Sequence, residues 1–145
     1  MARFLRSVLA QEEAIAASTT VTYDLPVNPL SFIRMSLRWQ AGAAIGNTGD
    51  PIADALSFIS RIEVLYKGQA IVSVNGADSF YLAEYLTAWK NSIINLVDAA
   101  TERHYLSWII PFSRMPYWPK EAFPAVRRGE LQLQMTYPAA VAAVD

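Results

Sequence analysis

The sequence predicts an all-β sandwich or barrel with a short N-terminal helix and one inserted helix. Period-two alternation recurs in six short segments between residues 19 and 137, and Gly- and Pro-containing connections separate them. Helical spacing is confined to residues 1–17 and to the stretch beginning at Asp78. Many strands joined by irregular connections, without a regular alternation of strand and helix, disfavour a parallel α/β fold.

The opening MARFLRSVLAQEEAIAA spaces Phe4, Leu5, Val8, Leu9, Ile15 and Ala16 at roughly helical intervals. Gln11, Glu12 and Glu13 break any signal-peptide core, so residues 1–17 are expected to form an amphipathic helix or arm ahead of one β-barrel domain, residues 18–145. Its apolar stripe packs on its own domain, on a neighbouring subunit or on a lipid surface. STTVTYDL then places Val21, Tyr23 and Leu25 on one face, and Pro26 and Pro29 close the strand. SFIRMSLRWQ alternates Ile33, Met35, Leu37 and Trp39 against Phe32, Arg34, Ser36 and Arg38, giving one dry face and one that carries two arginines. AGAAIGNTGDP, residues 41–51, holds three of the six glycines and reads as a surface loop.

In RIEVLYKGQAIVSV, Lys67-Gly68 separates two strands, and Gly68 supplies the positive φ of a two-residue hairpin turn. Asp78 is the expected N-cap of a helix through SFYLAEYLTAW, with Leu82, Leu86 and Trp89 as its buried stripe. KNSIINLVDAATE fits either more helix or a loop with a short strand. HYLSWIIPF sets Leu106, Trp108, Ile110 and Phe112 on one side and ends at Pro111. SRMPYWPKEAFP is an aromatic loop whose prolines forbid ladder pairing, so Tyr117, Trp118 and Phe123 must fold back on the domain or meet a partner. GELQLQMTYP is the last strand, with Leu131, Leu133, Met135 and Tyr137 inward; the AAVAAVD tail after it is expected to fray.

Composition narrows the function. A chain of 145 residues buries an ordinary core without disulfides or a structural metal. Hydrophobic residues make up 53% and charged ones 17%, a surplus that suggests a chain that assembles. The formal net charge of −1 gives no field that would draw the protein to nucleic acid or an anionic membrane. Cysteine is absent and His104 is the single histidine, which excludes thiolate zinc sites, cysteine nucleophiles and multi-histidine metal sites. No apolar run reaches the ~18 residues that span a bilayer.

The search for chemistry returns little. His104 has Asp98 and Glu102 nearby in sequence but no GxSxG serine. The adjacent Glu12 and Glu13 fall on different helix faces and suit solvated surface better than paired acid–base work. GNTGD matches neither the phosphate-binding nor the dinucleotide loop, and Arg127-Arg128 is too small a basic cluster for nucleic acid. No enzyme activity, cofactor or metal is expected.

The stretch IEVLYKGQAIVSVNGADSFYLAEYL, a strand, a Lys-Gly hairpin, a second strand and a Gly-Ala-Asp helix start, resembles the corresponding segment of single jelly-roll major capsid proteins. The family is that of tailless, membrane-containing icosahedral phages of the sphaerolipovirus type, and the likeness is to the small subunit. It extends as a pattern over residues 19–137. The resemblance implies a single jelly-roll barrel made in the host cytoplasm and located in the virion shell. It also implies assembly with copies of itself, including strand or arm exchange, with a second capsid protein, and contact with an internal viral membrane. A jelly roll has eight strands, so two more are expected within residues 41–58, 90–103 or 113–128, or from a partner. The contact surfaces expected on exposure grounds are Phe4, Leu5 and Leu9 of the N-terminal segment, Arg34 and Arg38, and Tyr117 and Trp118. The alternative from another class is a carbohydrate-binding β-sandwich module in which Trp108, Tyr117 or Trp118 stacks on sugar rings.

Overall fold

The alternating segments become two antiparallel sheets in the computed structural model, which describes residues 5–11, 13–14, 16–41, 51–87, 89–96, 102–115 and 117–139. The elements are β1 (Thr20–Asp24), β2 (Phe32–Ala41), α1 (Pro51–Ser57), β3 (Arg61–Tyr66), β4 (Gln69–Val74), α2 (Gly76–Thr87), β5 (Ser92–Leu96), β6 (Glu102–Pro111) and β7 (Leu131–Thr136). One sheet has the order β1-β7-β3-β4 and the other β2-β6-β5. The chain therefore changes sheet between β1 and β2, β2 and β3, β4 and β5, and β6 and β7.

Both sheets turn their apolar faces into one core. Ile33 and Met35 of β2 and Leu106, Trp108 and Ile110 of β6 meet Ile62 and Val64 of β3 and Leu131, Leu133 and Met135 of β7. The polar partners in the alternation face out, as Arg34, Ser36 and Arg38 do on β2. Period two thus translates directly into a two-layer arrangement with a dry interior. The β3–β4 hairpin turns through Lys67 and Gly68, with φ of 50° and 79°. Both values are positive, as a two-residue turn that follows the strand twist requires.

Four expectations are corrected. The described residues of the N-terminal segment contain no helix. Among the described residues of the stripe Leu5 and Val8 are exposed while Leu9 packs against the core, so these three do not form one buried face, and an unpartnered helix this short is marginal in water. The segment is instead tied along the sheet: the Tyr23 hydroxyl donates to the Glu13 carboxylate, and the Ser18 amide donates to the Pro138 carbonyl. Burial, and then the carboxylate of Glu13, push the Tyr23 phenol well above its ordinary range.

Second, the cap of α2 is Asn75, whose Oδ1 accepts the Asp78 amide at 2.6 Å; Asp78 sits inside the first turn. Third, the buried face of α2 is Gly76, Ser79, Phe80 and Ala83, while Leu82 and Leu86 point outward. Small residues win this face because the helix lies close to its neighbours. A Cβ at Gly76 would collide with the Leu56 carbonyl oxygen, and the Trp108 indole N–H donates to Ser79 Oγ at 3.0 Å. Fourth, one of the two strands sought beyond the six is β5, within residues 90–103. Residues 51–57 form α1, and the described residues of 113–128 supply a single bridge, Leu30 to Phe123, instead of a strand. Residues 42–50 of the Gly-rich loop, Phe4, Glu12, Asp98 and the tail from residue 140 lie outside the described residues.

Candidate interaction surface

Helix α2 carries large apolar side chains on its outer side, beside the exposed Asp78 and Glu84, as well as packing an inner stripe, and this decides where the surface lies. Its inner stripe is fixed by the chain of hydrogen bonds from Trp108 Nε1 to Ser79 Oγ and from Ser79 Oγ to the Gly76 carbonyl at 2.8 Å. The Phe80 ring packs edge-on against Trp108, 6.1 Å between centroids. At the far end Thr87 Oγ1 donates to the Ala83 carbonyl and accepts the Trp89 amide, which closes the last turn. With rotation fixed this way, Tyr81, Leu82, Tyr85 and Leu86 are left on the outside, and Tyr85 is 87% exposed. Four large apolar side chains on one exposed helix face form a patch of the kind that marks a binding surface.

The patch continues into the aromatic loop. Leu86 lines an open cleft of about 290 Å³ together with Pro111, Phe112, Ser113, Arg114 and Glu121. Arg114 clips the loop shut, donating from its backbone and its guanidinium to the two oxygens of Glu121 at 3.1 and 2.9 Å. These bonds from Arg114 hold the Glu121 carboxyl below the usual carboxylate range. Two serine contacts seat the loop at the start of β2, the Tyr117 amide donating to Ser31 Oγ at 2.8 Å and Ser113 Oγ lying 3.4 Å from Ser31 Oγ, and within the loop Ser113 donates to the Met115 carbonyl. Tyr117 takes a left-handed backbone, φ 68°, a conformation that costs a non-glycine residue about 1 kcal/mol.

The three aromatics of the loop divide. Phe123 folds back onto the domain and meets Tyr66 and Phe112 edge-on at 5.6 and 5.7 Å. Tyr117 and Trp118 remain about half exposed, with the Tyr117 ring edge-on to Phe32 at 5.0 Å; Met115 beside them is exposed as well. Phe32 also meets Trp89, just past α2, at 6.0 Å. A ring cluster thus joins the helix to the loop across the outer face of β2 and β6.

Arg34 and Arg38 share the outer face of β2 with Phe32, the ring that Tyr117 meets, with Arg38 six residues further along the strand. Arg34 lies along the sheet, donating from Nε to Ser107 Oγ at 3.0 Å. Leu5 is exposed and Leu9 half-buried on the N-terminal segment, which runs beside β1 in the other sheet. Sequence reasoning missed Tyr81, Leu82, Tyr85 and Leu86. The signal that would have found them is the small-residue series Gly76, Ser79 and Ala83 at helical spacing, which marks a close-packing face and leaves the larger residues for the outside.

His104 sits on β6 opposite Trp39 and Asn95. Among the described residues no cluster of three His, Cys, Asp or Glu side chains could hold a metal ion, and no helix is long and apolar enough to cross a membrane. No protein-family model, curated protein or solved structure matches this chain.

Proposed function

We propose that the protein is a shell-forming structural subunit, a viral capsid protein built on a single jelly-roll barrel that assembles with copies of itself. The observation that carries this reading is the set of large apolar side chains on the outer face of α2, whose Leu86 shares a cleft with the loop that carries the half-exposed Tyr117 and Trp118, on an otherwise ordinary two-sheet body. A face of that size is costly to leave in water and is relieved by association.

Strand pairing supports the barrel type. The first strand pairs with the last and the second with the second-last, in opposite sheets, which is the nesting of a ribbon wrapped on itself. The departures are that β3 pairs with its own neighbour β4 and that seven strands stand among the described residues where a jelly roll has eight. The exposed edge strand β4 offers a place where a neighbouring chain completes the sheet. A second capsid protein and an internal viral membrane are the further contacts that this reading assigns to the shell.

Light scattering over two decades of concentration, followed by negative-stain imaging, tests the proposal. Growth from small oligomers to curved sheets or closed shells is expected. A chain that stays monomeric at every concentration and binds members of a glycan array belongs to the carbohydrate-module reading instead.

A further inference from the structure

We infer that Asn75-Gly76 is a self-modification site held closed by the docking of α2, so that the Asn75 side-chain amide is lost as ammonia only when the first turn of the helix leaves the body. The site depends on the fold alone and not on the shell reading. Asn75 is the one asparagine that precedes a glycine; Asn28, Asn47, Asn91 and Asn95 precede Pro, Thr, Ser and Leu. Glycine carries no side chain to shield its amide nitrogen and gives the backbone the freedom to fold that nitrogen back onto the preceding side chain.

The chemistry uses water and nothing else. Hydroxide takes the proton of the Gly76 amide, and the nitrogen forms a bond to Asn75 Cγ. The bond from Cγ to Nδ2 breaks, ammonia leaves, and a five-membered imide remains. Water then opens the imide at one of its two carbonyls, which puts either an aspartate or an isoaspartate in place of the asparagine.

Asn75 is exposed, so solvent reaches its side chain, and the restraint is geometric. The nucleophile is occupied: the Gly76 amide donates to the Ile59 carbonyl at 3.0 Å, an acceptor that shields the proton and cannot remove it. The electrophile is pinned, because Asn75 Oδ1 accepts the Asp78 amide at 2.6 Å and must release it before Cγ can turn onto the Gly76 nitrogen. The Asn75 carbonyl is held as well, accepting the Ser79 amide at 3.0 Å. Gly76 itself is buried, with the Leu56 and Ile59 carbonyl oxygens crowding the position of a Cβ, so its backbone has no room to swing. All four restraints belong to the docked first turn and are lost together when it detaches.

The modification is also one-way. An aspartate keeps the oxygen that caps the helix. An isoaspartate routes the backbone through the side-chain carbon and lengthens it by one methylene just ahead of Gly76, where the contact with Leu56 and Ile59 admits no extra atom. Chains that take this branch while α2 is detached lose the seat that held it.

The test holds the full chain at mildly alkaline pH, in native buffer and in guanidinium chloride, and follows Asn75 by mass spectrometry in the tryptic peptide between Lys67 and Lys90, where it is the sole asparagine. Deamidation is expected to be about a hundredfold or more slower in native buffer, since it waits on local opening. Ser79→Ala removes the hydroxyl that accepts from Trp108 and is expected to raise the native-buffer rate about tenfold and leave the rate in guanidinium unchanged. Equal wild-type rates in the two solvents, or a Ser79→Ala rate in native buffer equal to that of the wild type, would overturn the inference. The solvent comparison uses the wild type alone and decides the matter whether or not the variant folds.

Discussion

Replacing Ser79 with alanine removes one oxygen atom, and the structure says what that oxygen does. Trp108 is 1% exposed and Ser79 4%, so water does not reach the indole N–H when the hydroxyl is gone. The donor loses its acceptor at 3.0 Å and stays buried, a situation that costs about 1–3 kcal/mol. Alanine returns at most about 0.5 kcal/mol through its higher helix propensity. The net loss is then about 0.5–2.5 kcal/mol, which for a chain of this size lowers the melting temperature by about 1–10 °C. Urea unfolding followed by far-UV circular dichroism, at a dilution where association contributes nothing, measures it. The decisive comparison is the same substitution in a Trp108→Phe background, where no donor remains. There Ser79→Ala should cost far less, with a coupling energy of about 1 kcal/mol between the two sites. Equal cost in both backgrounds, or a cost near zero in the wild type, would refute the claim that this bond fixes the rotation of α2.

Three further outcomes follow from the same structure. Gly68→Ala meets no atom within 4 Å of the new Cβ but keeps φ at 79°, so a loss of about 1 kcal/mol in urea unfolding, from backbone strain alone, is expected. Leu133→Ala, at a fully paired position of β7 facing the core, should cost about 2–5 kcal/mol in the same assay. Glu121 titrates below its ordinary value because of Arg114, so its contribution to loop order is complete above the unfolded carboxylate pKa of about 4.3 and is lost as pH falls through the lower folded value. Amide exchange at Arg114, whose N–H is bonded to Glu121, should lose protection over that acidic range, beyond the intrinsic pH dependence, and Glu121→Gln should remove the transition.

Legibility in the sequence tracked how each segment resolves its two faces. From Ile33 to Gln40 of β2 and along β7 every second residue is polar and the rest are large and apolar, so alternation fixed both the strand and its inward face. The hairpin was readable because Lys67-Gly68 is a local turn signal that needs no tertiary context. SIINL on β5 carries no alternation and is a five-residue edge strand held by its pairing with β6, so its own residues did not announce it. The N-terminal stripe had helical spacing but nothing to bury it against, and tertiary bonds from Tyr23 and Pro138 decided its path. At the candidate surface the prolines around Tyr117 and Trp118 signalled their irregular setting, while Arg34 proved to be held by Ser107, which no spacing in the sequence suggests.

The reversal of α2 is the most informative of these differences. Burying the largest apolar residues is the right rule for a helix with one wet face, because area removed from water dominates. It fails for a helix with two dry faces, where the intramolecular neighbour takes the side that permits the closest approach and the larger side chains remain for a second contact. Gly76 against the Leu56 carbonyl and Ser79 against Trp108 occupy the first role. Tyr81, Leu82, Tyr85 and Leu86 are then free for the second. A polar outer face would have made α2 an ordinary covering helix, with no energetic reason to meet another chain. The apolar residues there gather part of the exposed hydrophobic surface on one helix face, and that face is where the shell reading stands or fails.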